Sequence, residues 1–207
     1  MNDDQKVVFL HGMGETRDVW NPVIKQLPQV ECVSLDVLRT KSPQACWSLE
    51  DISAQIANSL TEPAHLVGLS LGAVIALNIA ITHPDKVSSL FLSAPQAKPP
   101  KTLMSQQKVL MRVLPTKWVC PPQLSKPQLL RVLDSLQGLD LTGHLPALSM
   151  PVTVVCGSKD KANLPAAHKI AGLIPAAHLE VIQDAGHQWH ATYPQLFACH
   201  LEKHLAR

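Results

Sequence analysis

The stretch Ala64-His65-Leu66-Val67-Gly68-Leu69-Ser70-Leu71-Gly72-Ala73-Val74-Ile75-Ala76 decides how this chain is read. Its first residues have the short apolar run of a strand buried on both faces, and its last residues open a longer run of helical length. Between them stands G-x-S-x-G, and that pattern in strand-turn-helix context has a mechanical meaning. The turn is so sharp that its central residue takes strained backbone angles, which is tolerable only where the neighbours two before and two after lack side chains. Gly68 and Gly72 meet that need. The turn lifts the Ser70 hydroxyl above the carboxyl ends of the strands, where ligands of open α/β sheets bind, and points a helix amino terminus at developing negative charge. Ser70 is the candidate nucleophile.

Working outward, short apolar runs at Lys6–Leu10, Glu31–Asp36, Ala64–Gly68, Val87–Ser93, Val152–Cys156 and Leu179–Gln183 alternate with helical patterns at Leu49–Leu60, Leu71–His83, Leu164–Leu173 and Pro194–His204. That alternation predicts an α/β fold: about six mostly parallel strands, each buried on both faces, with helices on either side. One segment breaks the rhythm. From 97 to 147, seven prolines punctuate two amphipathic helical patterns, Leu103–Leu114 and Pro127–Leu136, so the segment reads as an inserted helical cap within a single domain, 1–207. It carries seven Lys or Arg against Asp134 and Asp140. A solvated outer face is the plain reading of that surplus, and recruitment of an anionic substrate or carrier protein the sharper one.

A serine hydroxyl needs a base and an acid to orient that base. Asp160 lies in Cys156-Gly157-Ser158-Lys159-Asp160 just beyond the fifth strand, and His187 in Asp184-Ala185-Gly186-His187 just beyond the sixth. Asp184, three residues before His187, would struggle to reach the far side of the imidazole, so Asp160 is preferred; Asp36 is more distant still. His190 is the nearest rival of His187. The first strand ends in His11-Gly12-Met13-Gly14, a turn that brings backbone N–H groups close to a ligand, and the oxyanion donors are assigned as the N–H groups of Met13 and Leu71. Trp118 and Trp189 are read as core residues by default and as acyl-pocket lining by the alternative. His200-Leu201-Glu202-Lys203-His204 misses the H-E-x-x-H spacing by one place, so no metal is expected.

The strand followed by His11-Gly12, the Gly68–Gly72 turn, the Gly157–Asp160 loop and the Ala185-Gly186-His187 loop together resemble the α/β-hydrolase superfamily, in the chain order Ser, Asp, His. The resemblance covers nearly everything outside the cap. It implies a serine acyl-hydrolase of the carboxylesterase type, acting without cofactor through an acyl-enzyme on Ser70 on esters or thioesters, and the small cap with its apolar helix faces predicts small to medium acyl groups. Carbon-carbon or lactone hydrolysis on the same three residues, or a non-catalytic receptor or partner-binding module, remain the alternatives. Members commonly carry two further strands ahead of the first one here, so a minimal sheet is expected.

Composition bounds the rest. Of 207 residues 46% are hydrophobic and 16% charged, and the net charge of +2 gives no footprint for nucleic acid. The acidic Met1–Lys6 start does not read as an export signal, and the run Ala73–Ile81 is far short of the roughly 18 residues of a membrane span. Five scattered cysteines without C-x-x-C point to reduced thiols and a cytoplasmic protein, with Cys32 and Cys156 buried and inert.

Overall fold

The structure is a computed structural model that describes residues 6–38, 47–120 and 125–207. The amino-terminal five residues, Arg39, Cys46, Pro121 and Pro122 lie outside that description.

Six strands form one sheet: β1 (Lys6–Leu10), β2 (Glu31–Leu35), β3 (Ala64–Leu69), β4 (Val87–Ser93), β5 (Val152–Gly157) and β6 (Ala177–Ile182). Their spatial order is β2-β1-β3-β4-β5-β6, and every adjacent pair is parallel. The order steps outward in both directions from β1 and β3, which places the ends of those two strands at the crevice where the winding reverses. Around the sheet run α1 (Asn21–Ile24), α2 (Leu49–Ser59), α3 (Leu71–Thr82), α4 (Lys101–Val113), α5 (Thr116–Val119), α6 (Lys126–Ser135), α7 (Leu164–Leu173), α8 (Trp189–Thr192) and α9 (Pro194–Leu205).

Central strands β3, β4 and β5 are buried almost throughout, as their unbroken apolar runs require. The expectation that all six are buried on both faces fails at the edges: β2 is half-buried or exposed at every residue, and β6 at all but its last. Burial follows position in the sheet, and strand order is not written in the strand itself. β6 also begins two residues earlier than its pattern suggests, because Ala177 and His178 pair with Val152 and Thr153. Helix α3 is apolar all round and buried from Leu71 to Ala80, since it lies between the sheet and α2.

The helical segment between β4 and β5 comprises α4, α5, α6 and a short 3-10 turn at Leu145–Ala147. Helix α6 starts at a capping box: the Gln128 N–H donates to Ser125 Oγ, and the Ser125 N–H donates to Gln128 Oε1 at 2.8 Å. Its Leu129, Val132 and Leu133 are buried, α6 packs on α4, and these residues and Met104 join the single core of the domain. Among the described residues no helix is long and apolar enough to cross a membrane.

Candidate active site

Ser70 sits between β3 and α3 with φ 52° and ψ −110°, a conformation costly for any residue with a side chain. Packing enforces it. A Cβ on Gly68 would lie 2.5 Å from the Ala73 nitrogen and the Gly72 oxygen. The Ser70 N–H donates to the carbonyl of Ser93 at the end of β4, at 2.9 Å, and the next residue on that strand, Ala94, is itself at φ 49° and donates to Val155. The turn is thus tied to two neighbouring strands.

The acid and base loops are held to each other in the same way. Gly157 lies against the backbone of the other loop so closely that a Cβ there would stand 2.3 Å from the Ala185 oxygen. Ser158 N–H donates to Ile182 and Lys159 N–H to Ala185, both at 2.9 Å. From these loops Asp160 and His187 meet: His187 Nδ1–H donates to Asp160 Oδ2 at 2.6 Å. Asp160 is buried, which pushes its carboxyl pKa up, but hydrogen bonds from His187 and Asn163 outweigh burial and hold it below the ordinary value. With Nδ1 carrying the proton toward Asp160, the neutral imidazole keeps its lone pair on Nε2. Among the hydrogen bonds of the described residues none joins Ser70 Oγ to His187; serine–histidine contacts of this kind commonly close only in the substrate complex.

His11 is fully buried and closes the first turn, with Nε2 accepting the Val37 N–H at 3.2 Å and Nδ1–H donating to the Gly12 carbonyl at 2.8 Å. Burial holds its pKa down. Among the described residues the N–H groups of Met13 and Leu71 donate to no protein acceptor, and both residues line the cleft that Ser70 lines. That cleft is small and open to solvent. Its wall is apolar at Met13, Leu71, Val74 and Pro99 and at Met104, Leu133 and Leu136 of the helical segment; Gln96 and Asn163 supply amides.

Several expected roles are corrected. Trp189 does not line this cleft: its ring is buried against Phe197, centroids 4.6 Å apart, and its Nε1–H donates to Ser93 Oγ at 2.9 Å. Trp118 stands outside it as well, 69% exposed on α5. His190 is buried rather than at the loop surface, its ring 4.8 Å from that of Trp20 and its Nε2 3.7 Å from Glu15. Asp184, at φ 61°, points to solvent and pairs with Lys159, so it does not compete with Asp160. Two thiols are unsuited to attack: burial pushes Cys156 up to about 12, and Cys32, half-buried rather than buried as expected, up to about 11.

Three residues near the site escaped the sequence reading. Asn163, Gln96 and Glu15 are polar residues in loops after β5, β4 and β1. Glu15 accepts the Gly12 N–H at 2.9 Å and an N–H of Gln188 at 2.8 Å, joining the first turn to the base loop. The only sequence signal was for Asn163, an N-cap residue type directly ahead of a helical pattern and three places after Asp160.

Known proteins resemble this chain over nearly its whole length. A putative 2-succinyl-6-hydroxy-2,4-cyclohexadiene-1-carboxylate synthase of Bacillus subtilis is 23% identical over 95% of this chain and 88% of that protein. A pimeloyl-[acyl-carrier protein] methyl ester esterase of Vibrio vulnificus is 26% identical over 94% of this chain and 91% of that protein. The crystal structure of the enol-lactonase from Burkholderia xenovorans superposes with a TM-score of 0.86 over 98% of this chain and 92% of that one, at 16% identity, a likeness of fold. The profile of the Alpha/beta hydrolase family matches residues 7–198, and the chain belongs to that family.

Proposed function

We propose that the protein is a serine hydrolase that cleaves carboxylic esters or thioesters. The observation that carries this reading is the strained Ser70, held in the wall of an apolar cleft whose edge also holds the Asp160–His187 pair through Asn163. Ser70 Oγ attacks the acyl carbonyl as its proton passes to His187 Nε2. The carbonyl oxygen takes up negative charge between the N–H groups of Met13 and Leu71. Collapse breaks the bond to the leaving oxygen or sulfur, which takes the proton from His187 and departs as an alcohol or thiol. Water then attacks the acyl-enzyme, His187 accepts its proton, and release of the acid returns the proton to Ser70. Asp160 stays ionised and steadies the imidazolium.

The small helical cap beside an apolar cleft suits small to medium acyl groups. The acyl group is proposed to arrive on an anionic handle or carrier. Arg112 and Arg131 are exposed on α4 and α6, and Lys126 reaches across to the Arg112 carbonyl, while Lys98 and Lys108 are paired with Asp140 and Asp134. The relatives named for an acyl-carrier-protein ester support that choice. The compartment assigned is the cytoplasm, where the free thiols of Cys32, Cys120, Cys156 and Cys199 stay reduced. A second reading, carbon-carbon or lactone chemistry on the same residues, is kept because the relatives are not all named esterases, one being named a synthase.

Reaction with a fluorophosphonate tests the central point. One adduct on Ser70 is expected, lost in Ser70→Ala and in His187→Ala. A folded wild-type protein that takes no adduct overturns the reading in favour of a binding module.

A further inference from the structure

Asn163 is the N-cap of α7, yet its side chain does not cap that helix. An asparagine in that position ordinarily bonds the free N–H groups of the first turn. Here the amide is turned back instead. Its Nδ2–H groups donate to both oxygens of Asp160, at 2.8 and 3.0 Å. Its Oδ1 accepts an N–H of Gln96 at 2.9 Å, from a residue just beyond β4 that is 8% exposed.

The orientation matters because Asn163 Nδ2 also lies 3.2 Å from His187 Nδ1, where Asp160 Oδ2 lies at 2.6 Å. Two partners thus compete for one ring nitrogen. If the amide donated to Nδ1, that nitrogen would be an acceptor, the proton would sit on Nε2, and the imidazole could not take a proton from Ser70. With the amide turned onto the carboxylate, Asp160 Oδ2 keeps its place on Nδ1, and Nδ1–H donates to it. An amide is nearly symmetrical in shape and could equally sit flipped, with Oδ1 facing the carboxylate in acceptor-to-acceptor conflict. The Gln96 N–H excludes the flip, since it requires an acceptor on its side.

We propose that Asn163 and Gln96 are a positioning pair that holds the Asp160 carboxylate on His187 Nδ1 and so maintains the His187 tautomer: Gln96 fixes which end of Asn163 faces Asp160, and Asn163 keeps Asp160 Oδ2 on the ring nitrogen. This rests on the roles proposed above for Ser70, Asp160 and His187. It adds two residues that touch neither the nucleophile nor the reacting carbonyl in that scheme. The gain over an unassisted pair is that the acid carries two fixed donors in a site where water would otherwise compete for it.

The test uses the full chain with two size-matched changes, Asn163→Leu and Gln96→Met, and two independent readouts. The first is the ¹⁵N spectrum of the His187 ring, which reports the tautomer whether or not the protein turns anything over. The second is the pH profile of fluorophosphonate labelling at Ser70. In Asn163→Leu the carboxylate loses the amide that holds it on Nδ1 and can turn away, so we expect a smaller Nδ1–H fraction and labelling slower by roughly 10- to 100-fold, the scale of a lost positioning contact. The acid limb should move down by on the order of one pH unit, because a carboxylate that turns away no longer stabilises the imidazolium. Gln96→Met should move all three in the same direction by less, and it covers the case in which Asn163→Leu fails to fold. Variants that fold and keep the wild-type tautomer and acid limb overturn the proposal. A wild-type protein that resists labelling while the variants still change the tautomer overturns the hydrolase reading and upholds the positioning pair.

Discussion

Gly72 lies directly against the carbonyl of Leu10: a Cβ built on it would stand 2.0 Å from that oxygen and 2.9 Å from the oxygen of His11. The first turn of α3 therefore meets the end of β1 backbone to backbone, and this contact brings Leu71 and Met13 to the same cleft. Backbone cannot yield as the tip of a flexible side chain can. Gly72→Ala is expected to destabilise the fold by about 3 kcal/mol. Urea denaturation of the variant checks this, and a midpoint equal to wild type would show that the contact is looser than drawn.

The assignment of the acid can be tested by contrast. Asp160→Asn keeps the shape but presents an amide to His187 Nδ1, and the rate of Ser70 labelling is expected to fall by about 10³- to 10⁴-fold. Asp184→Asn retains a residue that tolerates positive φ, and its partner Lys159 lies at the surface. That variant is expected to label within about twofold of wild type, as the small contribution of surface pairs implies. Equal losses in both variants would reopen the choice between the two aspartates.

The three residues of the candidate site were legible because each sits in a local pattern whose meaning does not depend on the rest of the fold. Glycine spacing around Ser70, a strand end before Asp160 and another before His187 were enough. What could not be read depends on which side chains meet across loops. Asn163 is a cap residue by type, and only the approach of Asp160 and Gln96 diverts it. Trp189 and His190 follow His187 in sequence, but the turn of α8 drives both into the core against Phe197 and Trp20. The half-exposed edges β2 and β6 were misread for the same reason, since strand order is a property of the whole sheet.

Trp189 and Ser70 share one support, residue Ser93, whose hydroxyl accepts the indole N–H while its carbonyl accepts the Ser70 N–H. Trp189→Phe removes the donor and leaves a buried hydroxyl unpaired, so a loss of about 1–3 kcal/mol is expected. Because the ring lies outside the cleft, KM for a short ester should stay unchanged. A rise in KM without loss of stability would return Trp189 to the acyl pocket.

If the acyl group is delivered on an anionic carrier, the exposed cations of α4 and α6 should govern encounter rather than chemistry. Arg112→Glu with Arg131→Glu is expected to lower kcat/KM for a carrier-bound or phosphate-bearing acyl substrate by on the order of tenfold at low salt, with the difference shrinking as salt is added. A small neutral ester should be turned over unchanged. Equal effects on both substrates would assign these residues to the structure of the helical segment.

Stability should fall with acid for a reason remote from the cleft. His204 of α9 is buried, with Nε2 bonded to Ser89 Oγ at 2.7 Å and Nδ1 to Thr153 Oγ1 at 2.8 Å, linking the last helix to β4 and β5. Burial, followed by the nearby charges of His65 and Arg207, pushes its pKa down to about 4 from the ordinary 6.5. Between those two values the unfolded chain binds a proton that the folded chain does not, so stability rises with pH across that window and is lost as pH falls through it. At full expression this amounts to roughly 3 kcal/mol. Burial lowers His11, His65 and His190 as well, which acts in the same direction. His204→Gln removes one titrating group, so its denaturation midpoint should change less between pH 7 and pH 4.5 than that of wild type. Parallel pH dependences in the two proteins would mean that acid unfolding is governed elsewhere.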